Sequence, residues 1–446
     1  MTETQIFYNF SLFNGVTPNL KPDCWLKVID GHISKIGFGP HPHSHKEIDL
    51  GRRIVIPGLI DAHVHLMTFF APKINPAVLF SLKRQIKLNL ANCIRCGVTT
   101  VRDAAAAPGF IRRIKRWIDE GKAVGPRIVC TNSFIIPSRA MPEFVPIFPL
   151  PMKLFWGGQI AERVNSPEKV RDAVRRMVAA GADWIKTTHS DKSLLLNQPD
   201  PPVFSDACFE ALLDEARKHD RPVAMHQTQV SGFRKAIELG VDSMEHAPLD
   251  VLTDEDIGQM VDSGIPIVPT IKVWRDELLQ DRVAELISSE GDAYLCPESI
   301  RQTQAVLKMF KIGITQEMSK KKYFPDLVLL ERQLPVMMEN VKRLYKKGAT
   351  IGCGTDSGGS LFSVFGRYYE EIENLMEVGL SAFEALKSAT IGNARILRLE
   401  DKLGTIESGK LADFVVLDKD PLRDILALQQ VRMVVKEGSI VFQEGM

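Results

Sequence analysis

The sequence predicts an α/β protein in which a (β/α)8 TIM-like barrel is joined to a small β-sandwich domain formed from both termini. Two observations lead to this prediction. Between Ile54 and Ser357, eight short β-branched or apolar runs alternate with longer helical patterns, and eight successive β–α units close on themselves as a barrel. The two ends of the chain instead show short strands and turns, with too little apolar pattern for a core of their own.

The eight predicted strands are separated by recognisable helix signals. Most strands follow a helical segment that ends near glycine, which supplies the left-handed residue that closes a last helical turn. Helix starts carry capping residues and acids in the first turn, as in Ser166-Pro167-Glu168 and Thr253-Asp254-Glu255. In chain order the strand runs are IVIPGLIDAHVH, TTVRDAA, RIVCTNSF, WIKTTH, PVAMHQT, SMEHA, PIVPTI and IGCGTDS.

The two ends of the chain, which have little apolar pattern, and one long helical stretch set the predicted domain boundaries. Residues 1–53 and 403–446 are predicted to pair as the small β-domain, because neither end can bury its apolar residues alone. Residues 54–402 are predicted to form the barrel. The stretch from about 275 to 345 is long, charged and helical, more than one barrel helix needs, and is predicted to be an insertion after the seventh strand.

Composition narrows the class of protein. The chain has 446 residues, 45% hydrophobic and 25% charged, which is typical of a soluble globular protein with a substantial core. A net charge of +1 gives no indication of nucleic acid or an anionic membrane as partner. Seven cysteines, without two CxxC pairs, indicate neither a disulfide framework nor a zinc–thiolate site.

The setting is predicted to be cytoplasmic and the partner a small-molecule substrate. The first residues lack the basic and apolar regions of a signal peptide. No apolar stretch approaches the roughly 18 residues of a membrane span. The sequence leaves the oligomeric state open, a homo-oligomer included.

Six residues with metal-binding chemistry stand at the carboxyl ends of predicted strands, where active sites of this architecture lie. His63 and His65 alternate along the first strand, so both rings face the same point. The other four, which end strands four, five, six and eight, are Lys186, His226, His246 and Asp356. Each alone has an ordinary explanation, such as a capped loop or a rim salt bridge, but six together predict a metal centre.

The donor types favour particular metals. Nitrogen and carboxylate ligands without thiolate suit zinc, with manganese or cobalt as neighbouring choices. An ammonium at Lys186 would be repelled by a divalent cation. Carboxylated by carbon dioxide, the same nitrogen becomes a carbamate whose two oxygens can bridge two ions. The six groups could then hold two metals about 3.5–4 Å apart with a hydroxide between them. An unmodified lysine beside one metal is the alternative.

Two segments carry a resemblance to a known family. VIPGLIDAHVHL, from Val55 to Leu66, and GTIESGKLADFVVLDKDPL, from Gly404 to Leu422, resemble the amidohydrolase superfamily of metal-dependent hydrolases. The segments GADWIK, SMEHAP and GCGTDSG are most similar to its prolidase-like and imidazolonepropionase-like branch. The resemblance covers essentially the whole chain apart from the long helical stretch.

The resemblance implies a role for each of the six residues. His63, His65 and Asp356 would hold the first metal. His226 and His246 would hold the second, and carboxylated Lys186 would bridge the two. Asp356 would also act as the catalytic residue, taking the proton from the bridging hydroxide as it attacks and handing it to the departing amine.

The chain departs from the prolidase-like pattern at substrate-facing positions. The Gly-Gly-His-Gly type loop after strand three is replaced by CTNSFIIPSRAMPEFVPIFP. Gln227-Thr228 stands where a tyrosine often follows the strand-five histidine, and Thr187-Thr188 stands where a glycine pair follows the lysine. These departures put specificity for dipeptides in doubt.

Apolar side chains are predicted to fill the mouth of the barrel instead. As a set they favour a hydrophobic, even aromatic, substrate over a charged dipeptide. They are Met67, Phe69, Phe70, Phe134, Ile135, Phe144, Phe148, Phe155, Trp156 and Trp274.

The predicted function is hydrolysis of an amide-type C–N bond, in an N-acyl amino acid, aryl amide, urea or carbamate, by a metal-bridging hydroxide. An Xaa-Pro-type dipeptidase is one alternative. A mononuclear deaminase or cyclic amide hydrolase is another, but such deaminases usually carry an HxxE-like acid on strand five, where this chain has Gln229. A non-catalytic assembly protein is a third class, disfavoured because every expected ligand is present.

Overall fold

The computed structural model describes residues 4–67, 76–140, 150–194, 199–311, 326–360 and 362–445. Within these ranges the strands form sheets of seven, six and three strands. The strands are β1 Thr4–Leu12, β2 Lys21–Ile29, β3 His32–Phe38, β4 Glu47–Pro57, β5 Leu59–Val64, β6 Val98–Asp103, β7 Arg127–Cys130, β8 Phe134–Pro137, β9 Ala161–Val164, β10 Ile185–Thr188, β11 Val223–His226, β12 Ser243–Glu245, β13 Ile267–Val268, β14 Phe414–Leu417, β15 Val431–Lys436 and β16 Ser439–Gln443.

Helices connect most of these strands. They are α1 Pro76–Arg95, α2 Pro108–Asp119, α3 Leu150–Trp156, α4 Pro167–Ala179, α5 Asp206–Lys218, α6 Val230–Leu239, α7 Asp254–Ser263, α8 Ile271–Leu278, α9 Gln280–Tyr294, α10 Pro297–Lys311, α11 Leu327–Lys346, α12 Tyr369–Glu377, α13 Ala382–Lys387 and α14 Asn393–Ile396, with a π-helical turn at Ser388–Gly392 and a 3-10 helix at Ile425–Gln429. None of the described helices is both long and apolar enough to cross a membrane.

The seven-stranded sheet is built from both ends of the chain, in the order β16-β15-β14-β4-β1-β2-β3. β14 pairs antiparallel with β4, and β1 pairs parallel with β4 on its other side. Phe7 and Phe414 are both fully buried, and their ring centres lie 4.9 Å apart in an edge-to-face contact. Residues from the two ends therefore share one core, which neither end could form by itself.

The other two sheets are parallel and carry the helices. One has the order β5-β6-β7 and the other β13-β12-β11-β10-β8-β9. The segment that follows α11 lies between them, because Ile351 bridges to Ile267 of β13 and Ser357 bridges to Val64 of β5, both in parallel. The carboxyl ends of the strands in the two sheets therefore point the same way. The chain has an α/β fold with parallel sheets in a barrel-like arrangement beside a separate sheet.

Two of the predicted strand runs differ from the structure. The third run, RIVCTNSF, is broken, because Asn132 adopts a left-handed conformation with φ of 56° between β7 and β8. The eighth run, IGCGTDS, forms isolated bridges rather than an assigned strand. Its glycines pack too closely for side chains, since a Cβ on Gly354 would lie 2.5 Å from Val268 and 3.0 Å from His63.

The region predicted as a helical insertion contains α9 and α10 between α8 and α11. It packs on α1 through polar contacts to backbone groups. Gln85 Oε1 accepts a hydrogen bond of 2.8 Å from the Cys296 amide, and Asn92 Nδ2 donates to the Ala293 carbonyl at 3.0 Å. These contacts attach the extra helices to the first helix that follows the histidine strand.

Asn393, at the end of the π-helical turn, joins β5 to the broken eighth run. Its Nδ2 donates to the carbonyls of Ile60 and Cys353, both at 2.6 Å, and its Oδ1 accepts from the Cys353 amide at 3.0 Å. The side chain is fully buried. One amide therefore satisfies three backbone groups at a point where the ladder between neighbouring strands is incomplete.

We expect Asn393→Ala to destabilise the fold strongly. The change leaves the buried amide of Cys353 without the acceptor described here, at a cost of about 1–3 kcal/mol. It also removes one donor from each of the Ile60 and Cys353 carbonyls, which keep hydrogen bonds from Tyr368 and from the Ala62 amide. Thermal unfolding followed by circular dichroism should show a clear fall in melting temperature. Gln259→Ala is the matched control, because Gln259 is an exposed amide whose side chain donates to Glu255 of its own helix. Equal melting temperatures for the two variants would contradict this role.

Candidate metal centre

Five of the six predicted site residues lie at or just beyond the carboxyl ends of the parallel strands, and the sixth, Lys186, is the second residue of the four-residue strand β10. His63 is on β5 and Lys186 on β10, and His226 is the last residue of β11. His65, His246 and Asp356 follow β5, β12 and the broken eighth run. Parallel strands bring their carboxyl ends together, so residues far apart in sequence reach one region.

Five of the six are joined by short distances. Asp356 Oδ1 lies 3.2 Å from His65 Nε2 and 3.6 Å from His63 Nε2. Ligand atoms of His63, His246 and Asp356 all lie within 4.8 Å of one another. The rings of His226 and His246 have centres 4.5 Å apart. Four imidazoles and one carboxylate therefore form one connected cluster.

Lys186 reaches the same region from β10. Its side chain is 2% exposed, and within the described ranges Nζ has no hydrogen-bond partner. Nζ lies 5.8 Å from the ring centre of Phe134, and that ring lies 6.3 Å from the ring of His226. A buried amine without a partner is costly, which makes this position a candidate for modification or for a ligand.

Burial lowers the pKa values of most of these nitrogens. Burial, with the nearby charge of Lys186, lowers the pKa of His226 to about 3, and burial also holds the pKa values of His63 and His246 well below the usual range. Burial lowers the pKa of Lys186 to about 8. For His65, burial acts in the same direction, but the hydrogen bond and charge of Asp356 outweigh it and raise the pKa.

Three further residues that the sequence analysis did not single out support the histidines. His63 Nδ1 donates to Glu245 Oε2 at 2.6 Å, and Arg102 and Ser243 both bind Glu245 Oε1. Burial opposes ionisation of Glu245, but the guanidinium of Arg102 outweighs it, so the pKa of Glu245 lies below its usual range. Two signals in the sequence mark these residues: an acid directly before His246, and an arginine in an apolar strand run whose one other charged residue is Asp103.

A hydroxyl and the backbone hold the other ligand candidates. Thr270 Oγ1 and His246 Nδ1 are joined by a hydrogen bond of 2.7 Å. His246, Thr270 and Asp356 have positive φ angles of 68°, 52° and 51°. Non-glycine residues seldom adopt this conformation outside functional sites and tight turns. The strand ends therefore turn sharply where they present the candidate ligands.

These groups fit a divalent metal centre. Neutral imidazoles and a carboxylate are ligands of zinc and related ions, and Lys186 Nζ is a buried polar atom that lacks a partner among the described residues. The cysteines, in contrast, are all unpaired and buried in the core, and thiolates play no part in this donor set.

The apolar surroundings agree with the sequence prediction only in part. Phe134 lies beside Lys186 and His226, and the ring of Trp274 lies 6.0 Å from that of His246. Phe155 and Trp156 were predicted at the mouth, but they lie on α3, where Trp156 packs on Phe110 of α2 at 5.6 Å and Phe155 is 59% exposed. These two residues were predicted in a loop and are found on a helix, and their place at the mouth stays a prediction.

The remaining predicted mouth residues are of two kinds. Met67 and Ile135 are buried in the core. The following lie outside the described residues: Phe69, Phe70, Phe144 and Phe148.

Comparison with known proteins gives consistent matches over nearly the whole chain. The model of the Amidohydrolase family matches residues 54–441. Ochratoxinase from Aspergillus niger is 24% identical over 406 residues, covering 85% of this chain and 73% of that protein. A crystal structure of a Xaa-Pro dipeptidase with bound methionine in the active site has a TM-score of 0.76 at 27% identity, covering 99% of this chain and 100% of that chain.

A relative of a different kind also matches. It is a 5-methylthioadenosine/S-adenosylhomocysteine deaminase from Caldanaerobacter subterraneus subsp. tengcongensis, 33% identical over 431 residues. The match covers 88% of this chain and 82% of that protein.

We expect Gly359→Ala to displace Asp356 and to reduce both metal content and hydrolytic rate. A Cβ at Gly359 would lie 2.3 Å from Asp356 Oδ1, so the carboxylate or the loop must move. A shift of about 1 Å at a reacting group can cost about 100-fold in rate. Metal content by mass spectrometry and the hydrolytic rate are the measurements.

Gly258→Ala is the matched control. A Cβ at Gly258, on helix α7, meets nothing within 4 Å, so this variant should keep its metal and its rate. If Gly359→Ala behaves like Gly258→Ala, the position of Asp356 does not depend on this contact.

Proposed function

This chain belongs to the amidohydrolase family and is a hydrolytic enzyme acting on carbon–nitrogen bonds, and we propose that it cleaves an amide-type bond in a hydrophobic small molecule with the help of two divalent metal ions. Zinc is the preferred ion, with manganese or cobalt as alternatives. The observation that carries the proposal is the cluster of His63, His65, His246 and Asp356, with His226 and the buried amine of Lys186 beside it, an amine without a hydrogen-bond partner among the described residues.

The same proposal extends to the architecture. Residues 54–402 would form a closed (β/α)8 barrel with a helical insertion from about 275 to 345, and residues 1–53 and 403–446 would form the separate sheet domain. The parallel bridges of Ile351 and Ser357 to β13 and β5 support closure on one side. On the other side, the amides of Asp183 and Trp184 donate to the Cys130 carbonyl at 2.8 and 3.2 Å, which joins β7 to the start of β10.

We assign the ligands as two groups and a bridge. His63, His65 and Asp356 would hold one ion, which agrees with the distances of 3.2 and 3.6 Å from the imidazoles to Asp356 Oδ1. His226 and His246, with rings 4.5 Å apart, would hold the other. Lys186, carboxylated by carbon dioxide, would bridge them. When bound, the ions would polarise the substrate carbonyl and lower the pKa of water.

The residues of the chain then have definite tasks. The imidazoles of His63, His226 and His246 stay neutral, because burial depresses their pKa values, and so keep their lone pairs for ligation. Asp356 would accept the proton of the attacking water and return it to the nitrogen that leaves when the C–N bond breaks. The depressed pKa of Lys186 increases the fraction of neutral amine, which is the form that reacts with carbon dioxide.

Two aromatic side chains support a hydrophobic substrate. Phe134 borders the site beside Lys186 and His226, and Trp274 borders it beside His246. The indole Nε1 of Trp274 is buried and has no hydrogen-bond partner within the described ranges. It offers a donor to a substrate carbonyl, while the ring face offers apolar contact.

Two alternatives have specific support. Xaa-Pro dipeptidase activity is supported by the structural match to a Xaa-Pro dipeptidase, but Gln227 and Thr228 replace the tyrosine often found after the strand-five histidine of that branch. A deaminase with one metal is supported by the 33% identical deaminase, but Gln229 stands where such enzymes usually carry an acid. The number of metal ions per chain separates the deaminase from the other two reactions.

A substrate screen tests the proposed reaction. Purified protein supplied with zinc or manganese and bicarbonate should hydrolyse aryl amides, aryl ureas or N-acyl amino acids faster than Xaa-Pro dipeptides. Trp274→Ala and Phe134→Ala should each lower kcat/KM for aryl substrates by about 10-fold or more, because each change removes apolar contact of about 1.5–3 kcal/mol. Faster cleavage of dipeptides, or unchanged aryl specificity in both variants, would contradict a hydrophobic substrate.

Lys186→Ala should lose most activity and bind fewer metal ions. If a carbamate bridges the ions, adding acetate or propionate should restore part of the rate, since a small carboxylate can occupy the vacated space. His226→Ala is the control, because the same acids cannot replace an imidazole. Rescue of both variants, or of neither with full metal content retained, would argue against a bridging carbamate.

A further inference from the structure

Glu245 is a buried carboxylate whose two oxygens serve different partners. Oε2 accepts the hydrogen bond of 2.6 Å from His63 Nδ1. Oε1 accepts from Arg102 and from Ser243, the latter at 2.7 Å. Glu245 and Arg102 have fully buried side chains. Both oxygens of an acid that directly precedes His246 are therefore engaged by protein groups.

Arg102 is held in place on more than one side. Its Nε donates to the Ala62 carbonyl at 2.8 Å, one residue before His63. Its guanidinium carbon lies 4.8 Å from the ring centre of Trp184. The guanidinium of Arg102 therefore connects the backbone of β5 to the carboxylate of Glu245 on β12. His63 lies directly after the β5 residue that Arg102 contacts.

We propose that Arg102 and Glu245 form a positioning pair for His63, an inference that rests on the metal centre proposed above. Glu245 fixes the rotation of the imidazole and keeps the proton on Nδ1, so that Nε2 faces Asp356 and a metal ion. Arg102 holds the carboxylate against His63 and away from the ions. A free carboxylate beside divalent cations would itself become a ligand, and the hydrogen bonds of Glu245 with Arg102, Ser243 and His63 prevent this.

The pair could alternatively serve only to stabilise the interior. The two roles make different predictions when both charges are removed together. Breaking a buried ion pair destabilises a protein strongly, whereas replacing both partners with apolar residues is often neutral for stability. If the pair is purely structural, the double variant should therefore recover both the melting temperature and the zinc affinity. If the pair positions His63, the double variant should recover the melting temperature but not the zinc affinity.

The test compares E245M, R102M and E245M/R102M by two measurements. The first is zinc affinity of the metal-free protein, by competition with a chromophoric chelator. The second is the melting temperature of the metal-free protein. We expect both single variants to bind zinc about 10- to 100-fold more weakly and to melt at lower temperature. The double variant should regain most of the melting temperature while its zinc affinity remains low.

Recovery of both the melting temperature and the zinc affinity in the double variant would overturn the proposal. A zinc affinity of E245M within about twofold of wild type would also overturn it, because loss of a hydrogen-bond partner of a metal-binding histidine should weaken binding by more than that. If the double variant does not fold, E245Q decides. Its amide has one acceptor and cannot serve both Arg102 and His63, so zinc affinity should again fall by about 10-fold or more. Unchanged affinity in E245Q would overturn the proposal.

R127M is the matched control. Arg127 forms a mostly buried ion pair of 2.7 Å with Asp413, at the opposite end of β7 from the site. Its loss should lower the melting temperature without changing zinc affinity. If the wild-type protein binds no zinc, the metal centre itself is contradicted. If the wild-type protein binds zinc and the variants bind it equally well, only the positioning role is contradicted.

Discussion

Four imidazoles and one amine share a buried region at the end of the parallel strands, and burial permits this only if most of them are uncharged. The depressed pKa values of His226, at about 3, and of Lys186, at about 8, express that constraint. The imidazoles of His63, His226 and His246, whose pKa values burial depresses, keep lone pairs that they can donate to a cation. The burial that disfavours their charged forms therefore also prepares them to bind metal.

The surrounding structure holds the donors in that arrangement against local strain. Left-handed φ angles at His246 and Asp356 cost about 1–3 kcal/mol each. Backbone hydrogen bonds of 2.8 Å, from the His246 amide to the Val268 carbonyl and from the Asp356 amide to the His63 carbonyl, keep these turns in place. The side chains of Glu245, Arg102 and Thr270 then set the orientation of the rings. The geometry of the site therefore depends on contacts between strands that are distant in sequence.

The sequence was informative where periodicity and strand ends determine position. The alternation of His63 and His65 and the residues that end the other strands predicted the cluster, because parallel strands must bring those ends together. The left-handed break at Asn132 depends on a single backbone angle, and partners such as Arg102 and Glu245 depend on packing between distant strands, so neither follows from local pattern. Phe155 and Trp156, predicted in a loop, lie on helix α3, and the contact of Trp156 with Phe110 of α2 again depends on packing that local pattern does not predict.

The central claim is that these residues hold two metal ions bridged by a modified lysine. Crystals grown with zinc and bicarbonate, with diffraction measured on both sides of the zinc absorption edge, test it most directly. The account predicts two anomalous peaks about 3.5–4 Å apart, with density for a carboxylate group continuous with Lys186 Nζ. A single peak, with an unmodified Lys186 directed away from it, would contradict the account and favour a mononuclear enzyme such as a deaminase.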